Sequence, residues 1–194
     1  ALISAAKTPV IIAGGGVIYS QATNILKKLV NRTGIPVVET FAGKGALRFD
    51  EPQNLGAAGV TGTPGAIAVC ENADVVIGIG TRYSDFTSIS QSAFQHPSVQ
   101  FVNINVSEFD SFKQGAIPIV ADAREALKEL DKLLGTYRVS SSYTSTIKKY
   151  HADWQKYVDQ VYADKKQIPV SQAEVIGAVN NFSDAKDIVV CAAG

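Results

Sequence analysis

The sequence predicts an α/β protein: a doubly wound parallel sheet with helices on both faces, three layers in all. Two observations carry this. Short Val/Ile-rich runs recur along the first two thirds of the chain, several of them leading into glycine turns. Between them lie segments whose apolar residues return every three to four positions, the period of a helix with one buried face. Strands buried on both sides read as continuous apolar runs, and such strands alternating with helices build parallel sheets.

Taken in order, residues 9–15 (PVIIAGG) read as a buried strand entering a glycine turn. Residues 20–34 follow as a helix with Ser20 as its cap and Gly34 as its stop. Ala22, Ile25, Leu26, Leu29 and Val30 form its apolar face. Residues 35–40 are a second strand. Residues 62–73 are a short helix capped by Thr63, with Pro64 in its first turn. Residues 74–80, 99–106 and 117–122 are the third, fourth and fifth strands. Residues 122–135 form a helix with Ala126, Leu127, Leu130, Leu133 and Leu134 inward. This is the pattern of a Rossmann-like domain.

The texture then changes. Residues 136–167 begin as a Ser/Thr/Tyr linker and continue as a polar helix. That helix carries Tyr150, Trp154, Tyr157, Val158 and Val161 as a packing stripe. A further αβ unit opens at Ser171, where Glu174 three residues later completes a capping-box pattern, with Ala173, Ile176 and Val179 expected inward. Residues 188–190 read as a buried strand followed by the small-residue turn Ala192-Ala193-Gly194. The expected division is therefore residues 1–136 for the main domain, 137–168 for linker and bridging helix, and 169–194 for the start of another domain. The lack of any Met among 194 residues suits an internal piece of a longer protein.

Composition narrows the function. Eighteen basic residues balance eighteen acidic ones, and no basic face stands out, which argues against nucleic acid as a partner. No run approaches the roughly 20 apolar residues of a membrane span, and the N-terminus lacks the apolar core of a secretion signal. Cys70 and Cys191 are far apart in apolar surroundings, as expected of buried thiols in a reducing, cytoplasmic setting. Of the two histidines, His96 precedes Pro97 in a loop and His151 lies in a polar helix; no Cys/His cluster points to a metal, and no catalytic residue is assigned.

Four glycine- or amide-rich turns remain as candidate sites. Gly14, Gly15 and Gly16 follow the first strand, where glycine lets backbone N–H groups approach a phosphate or simply makes a tight turn. The dinucleotide fingerprint would need glycine at position 19, which is Tyr19; Glu39 is the acid placed to hold a ribose. Residues 56–66 form a second glycine loop, either an anion cradle or a packing loop. Thr81, Arg82 and Ser84 lie at the carboxyl end of the third strand. There Arg82 clamps a diphosphate or pairs with an acid such as Asp85. Asn103 and Asn105 end the fourth strand, where a nucleotide-binding version of the fold favours an acid.

The strings TPVIIAGGGV, GIPVVETFAGKGAL, LGAAGVTGTPGA, ADVVIGIGTRYSDF, FVNINVSEF and IVADAREAL occur in the order found in the central domain of thiamine-diphosphate-dependent enzymes. The chain resembles that family over about residues 9–134. Residues 168–194 look like the entry to its diphosphate-binding domain. GKGALRFDEPQNLGAAGVTGT and IVVCAAG are most similar to the branch that hydrolyses a carbon–carbon bond in a cyclic 1,2-diketone of myo-inositol catabolism.

The resemblance implies a homo-oligomeric parent enzyme using thiamine diphosphate and Mg2+, acting on a small cyclic diketone, with the cofactor accepting the electrons of the breaking bond. It also implies that the cofactor is held outside this chain, which lacks both the activating glutamate and the G-D-G…N motif. Where members of the family bind FAD or ADP centrally, the matching positions are Gly14–Gly16, Thr61–Thr63, Thr81-Arg82, the Asn103/Asn105 pair and Asp122. Asparagine at that pair departs from the acids of flavin-binding members and argues against FAD. The alternative kept open is an FAD- or ADP-holding central domain of an acetohydroxyacid synthase- or glyoxylate carboligase-type enzyme.

Overall fold

The structure, a computed structural model, describes residues 1–163 and 168–190. The chain divides into two compact units, Ala1–His151 and Ala152–Gly194.

The first unit opens with helix α1 (Leu2–Ala5) and strand β1 (Pro9–Ala13), followed by α2 (Gly15–Tyr19), α3 (Thr23–Thr33) and β2 (Val37–Glu39). Next come β3 (Asn54–Ala57), α4 (Pro64–Glu71), β4 (Val75–Ile79), α5 (Asp85–Ser88) and β5 (Gln100–Asn105). The unit continues with α6 (Glu108–Ser111), β6 (Ile117–Val120) and α7 (Ala123–Leu134). Helix α8 (Ser141–Tyr162) begins in this unit and ends in the second, which also holds α9 (Gln172–Phe182).

The sheet is wholly parallel, in the order β3-β2-β1-β4-β5-β6. This is the doubly wound arrangement expected from the sequence. Its centre is dry: Ile11, Ile12, Val76 and Ile77 are wholly buried, and so are Leu26, Leu29 and Val30 of α3 and Leu127 of α7. Both faces of β1 and β4 are covered, which explains why their sequences do not alternate. At the amino edge Asp74 accepts from the backbone N–H groups of Lys7 (2.6 Å) and Thr8 (3.0 Å), fixing the entry of β1 beside β4.

Several expectations need correction. The sheet has six strands rather than five; β3, sequence NLGA, lacks the apolar run that marks the others and pairs with β2 through a register shift. Ser20 does not cap α3. It ends α2, its hydroxyl donating back to Gly16 O at 2.7 Å, while Ala22 stands at the start of α3 without a side-chain cap. Leu133 lies in solvent at the end of α7. By contrast Thr63 caps α4 as expected, accepting from Ala66 N, with Pro64 in the first turn. Cys70 is buried, and burial pushes its thiol up to about 12.

In the second unit Ser171 and Glu174 form the expected capping box. The aliphatic side of α9 is not inward, however. Ile176 and Val179 are exposed, whereas Glu174 and Gly177 are buried, because Gly177 lets the helix approach Tyr162 more closely than a side chain would allow. Trp154 and Tyr157 stack on one another at 5.5 Å. Residues 188–190 form no strand and are exposed; Cys191, Ala192, Ala193 and Gly194 lie outside the described residues.

Helices α3 and α7 are joined by Asp131. Its carboxylate accepts from Arg32 Nε (3.0 Å) and Nη2 (2.7 Å), and Lys28 lies at 3.1 Å. Arg32 first, and Lys28 after it, hold this carboxyl below its usual value of 3.8. A depressed native pKa means a contribution to stability that is present above the unfolded pKa and lost as pH falls through the native one. Asp131→Asn should therefore destabilise the protein by about 0.5–1 kcal/mol at neutral pH. In urea titrations the gap between variant and wild type should shrink as pH falls below 3.8.

Candidate functional site

In a sheet of this order the chain leaves β1 toward β2 on one side and finds β4 on the other, so a crevice opens above their carboxyl ends. The predicted glycines Gly14, Gly15 and Gly16 stand there, on the turn from β1 into α2. Facing them is Gly80, at the end of β4. Gly14 N donates to Ile79 O (2.8 Å), Gly16 N to Gly80 O (3.1 Å) and Val17 N to Gly14 O (3.1 Å).

The approach leaves no room for a Cβ. One built on Gly14 falls 2.7 Å from the Gly80 carbonyl carbon, and one on Gly16 falls 2.6 Å from Gly80 Cα. Gly43 meets β1 in the same way, 2.8 Å from the carbonyl carbon of Ala13. The N–H groups of Gly14 and Gly16, the donors that could face a phosphate, are thus engaged by the neighbouring main chain. Gly80 and Gly43 were not singled out from sequence. For Gly80 the signal was present: Gly14 and Gly80 end two adjacent strands, and such glycines are the natural partners of a close backbone crossing.

Glu39, the acid proposed for a ribose, is turned inward. Its Oε1 accepts from Leu47 N (2.9 Å) and Gly45 N (3.2 Å), and Lys44 Nζ lies 3.5 Å from Oε2. The carboxylate therefore shapes the turn of residues 44–47. The second glycine loop packs on backbone: Val60 N donates to Phe86 O at 3.0 Å, and a Cβ on Gly59 would fall 2.8 Å from Thr87 Cα. Of the four other positions suggested by resemblance, Thr61 is exposed, Gly62 donates its N–H to Gly59 O, and Thr63 and Asp122 cap α4 and α7.

Thr81 is buried, and its carbonyl accepts from Asn105 Nδ2 at 3.0 Å. Arg82 is exposed, and among the described residues no carboxylate, Asp85 included, pairs with its guanidinium. Its carbonyl accepts from Lys113 Nζ at 2.8 Å, and Lys113 also pairs with Asp110. Asn105 closes a second tie through Oδ1, which accepts from Ser107 N at 3.0 Å. Asn103 Nδ2 donates to Lys113 O at 2.9 Å. Asn105 thus ties the loop after β4 to the one after β5, while Asn103 ties β5 to the segment that leads into β6.

Behind them Tyr83 is wedged edge-on against Phe94 and Phe101, in a left-handed backbone conformation (φ 48°). Burial pushes its hydroxyl pKa well up. The hydroxyl and Asn103 Oδ1 both face Gly78, where a Cβ would sit 2.7 Å from Asn103 Oδ1. A shallow depression of about 530 Å³ lies beside this region, lined by Glu108, Phe109, Phe112 and Lys113.

The histidines are elsewhere. His151 Nδ1 donates to Asn54 O at 3.0 Å, and His96 contacts Ser98. Among the described residues no three His, Cys, Asp or Glu side chains converge to hold a metal ion, and no helix is long and apolar enough to cross a membrane.

Residues 1–130 match the family model described as thiamine pyrophosphate enzyme, central domain. The chain belongs to the thiamine pyrophosphate enzyme family. It is 40% identical, over 218 aligned positions covering 100% of the chain, to the 3D-(3,5/4)-trihydroxycyclohexane-1,2-dione hydrolase of Lacticaseibacillus casei. The protein of that name from Listeria monocytogenes serotype 4b is also 40% identical, and that from Clostridium botulinum 36%. The chain spans about a third of the length of these relatives, 34% in each case. The family's name implies thiamine pyrophosphate; the N–H groups of Gly14 and Gly16, which could have faced a diphosphate in the crevice above β1 and β4, are taken by Ile79 O and Gly80 O, so these residues do not fit it.

The interlock sets a test. Gly14→Ala must push the main chains of β1 and β4 apart, and should destabilise the protein by about 3 kcal/mol or more, like severe core overpacking. Gly45→Ala, where a Cβ meets nothing within 4 Å and only the positive φ of 91° opposes it, should cost about 1 kcal/mol. Urea denaturation of the two variants measures the difference.

Proposed function

We propose that the chain is the central, scaffolding domain of a thiamine-diphosphate-dependent enzyme that hydrolyses a carbon–carbon bond in 3D-(3,5/4)-trihydroxycyclohexane-1,2-dione, a small cyclic diketone of myo-inositol degradation. The observation that carries this reading is the identity to hydrolases of that name along the whole chain. The scaffolding role is supported by the crevice above β1 and β4, where the chain's own backbone takes up the donors of Gly14 and Gly16. The asparagine ties of Asn103 and Asn105 support a domain that works without FAD.

In this reading thiamine diphosphate and Mg2+ are held by other parts of a homo-oligomeric cytoplasmic parent, and supply the chemistry of bond cleavage there. Residues 1–194 hold the sheet, its loops and their spacing. Residues 1–194 alone, given thiamine diphosphate and Mg2+, should release no ring-opened acid above a protein-free blank, while the parent should do so. Turnover by the isolated chain would overturn the scaffolding role; a parent inert toward the diketone would overturn the substrate.

A second reading rests on Arg82, whose guanidinium is exposed and unpaired among the described residues. With Thr81 and the turn of Gly14, Gly15 and Gly16, it forms a candidate edge for a nucleotide diphosphate such as ADP. Calorimetry on the parent separates the two. ADP binding tighter than about 10 μM, roughly −7 kcal/mol, that is lost in Arg82→Ala would favour the nucleotide. The scaffolding reading predicts no heat that depends on Arg82.

A further inference from the structure

The segments that leave β1 to β5 at the carboxyl edge share an unexpected property. Each places a large apolar side chain in water. Tyr19 (89% exposed) follows β1, Phe41 (88%) follows β2, Val60 (59%) follows β3 and Phe86 (47%) follows β4. Phe109 and Phe112, at 77% and 56%, follow β5. Single exposed apolar residues are ordinary, but a row of them along one edge marks an interaction surface.

Several of these turns are tied together. The Tyr19 ring and Ala42, the neighbour of Phe41, both lie within 3.4 Å of a Cβ built on Gly15. Val60 N donates to Phe86 O at 3.0 Å. Lys113 sits 5.0 Å from the centre of the Phe109 ring while donating to Arg82 O, on the same turn as Phe86. The amino edge is built differently, with Asp74 and Thr8 tying the entries of β1 and β4 by polar contacts.

We propose that this carboxyl edge is a docking face, covered in the parent protein by an apolar surface of another domain of the same polypeptide. The relatives matched along the whole chain are about three times its length, 34% of each being accounted for, so most of such a polypeptide lies outside residues 1–194. A domain tethered to its neighbour meets it at an effective concentration on the order of millimolar, which favours it over a second copy as the occupant. The inference rests on the chain being one domain of a longer polypeptide, and not on the parent's substrate.

The test uses the full-length parent. Phe41→Cys, Phe86→Cys and Phe109→Cys are each labelled with a water-soluble maleimide under native conditions, and sites are read by peptide mass mapping. Glu129→Cys, on the exposed side of α7, is the reference. All three rim positions should label at least about fivefold more slowly than the reference, because thiol reactivity follows access. The protection should persist when the parent is diluted to single polypeptides.

Labelling less than fivefold slower than the reference overturns the proposal. So does protection that vanishes on dilution, which would assign the face to a second copy. If a substituted parent fails to fold, hydroxyl-radical footprinting of the unsubstituted parent reads the same three phenylalanines, protected if the proposal holds and oxidised if it does not. Neither readout depends on diketone hydrolysis, so failure of the assigned substrate would leave both intact.

Discussion

Above the carboxyl ends of β1 and β4 two main chains cross so closely that neither tolerates a Cβ: Gly14 and Gly16 on one, Gly80 on the other. Two hydrogen bonds, from Gly14 N and Gly16 N to Ile79 O and Gly80 O, hold the crossing. The crossing fixes where α2 starts and how Thr81 is presented. Thr81 O in turn is the acceptor that Asn105 uses to bind the β4 loop to the β5 loop. Gly43 repeats the close approach on the β2 side. At the point where open α/β sheets leave a crevice, the protein's own backbone thereby takes up the N–H groups of Gly14 and Gly16.

That engagement gives the glycine-rich turn a structural role of its own. Glycine after the first strand lets a phosphate approach the backbone, yet it equally lets another backbone approach, and the sequence of the turn alone does not separate the two. The partner decides, and here the partner is Gly80, 66 positions later in the chain. Asn103 and Asn105 follow the same logic. A carboxamide both donates and accepts, so Asn105 can bridge Thr81 O and Ser107 N at once, which an ionised carboxylate, accepting only, could not.

Much of the architecture was legible because its signals are local. The apolar runs of β1, β4 and β5, the Thr63-Pro64 start of α4 and the Ser171/Glu174 capping box each depend on a few adjacent residues. What was not legible depends on distant contacts. β3 is a strand because β2 offers it a ladder, not because NLGA favours one. The inner side of α9 is chosen by Gly177 meeting Tyr162, against the pull of its aliphatic residues. Glu39 is an inward anchor because Leu47 and Gly45 turn their N–H groups onto it, eight and six positions away. The family resemblance reached further than these local signals, since six weak motifs in one order constrain a fold more than any one of them.

The central claim is that the donors of Gly14 and Gly16 are consumed internally, and amide hydrogen exchange of residues 13–17 in the ligand-free parent tests it most directly. Hydrogen-bonded amides at the centre of a buried sheet exchange only through opening of the fold, so the account predicts protection of this segment comparable to that of β1 itself, unchanged by added ADP or FAD. Exchange at the rate of an open loop, with protection appearing only when a nucleotide is added, would contradict it.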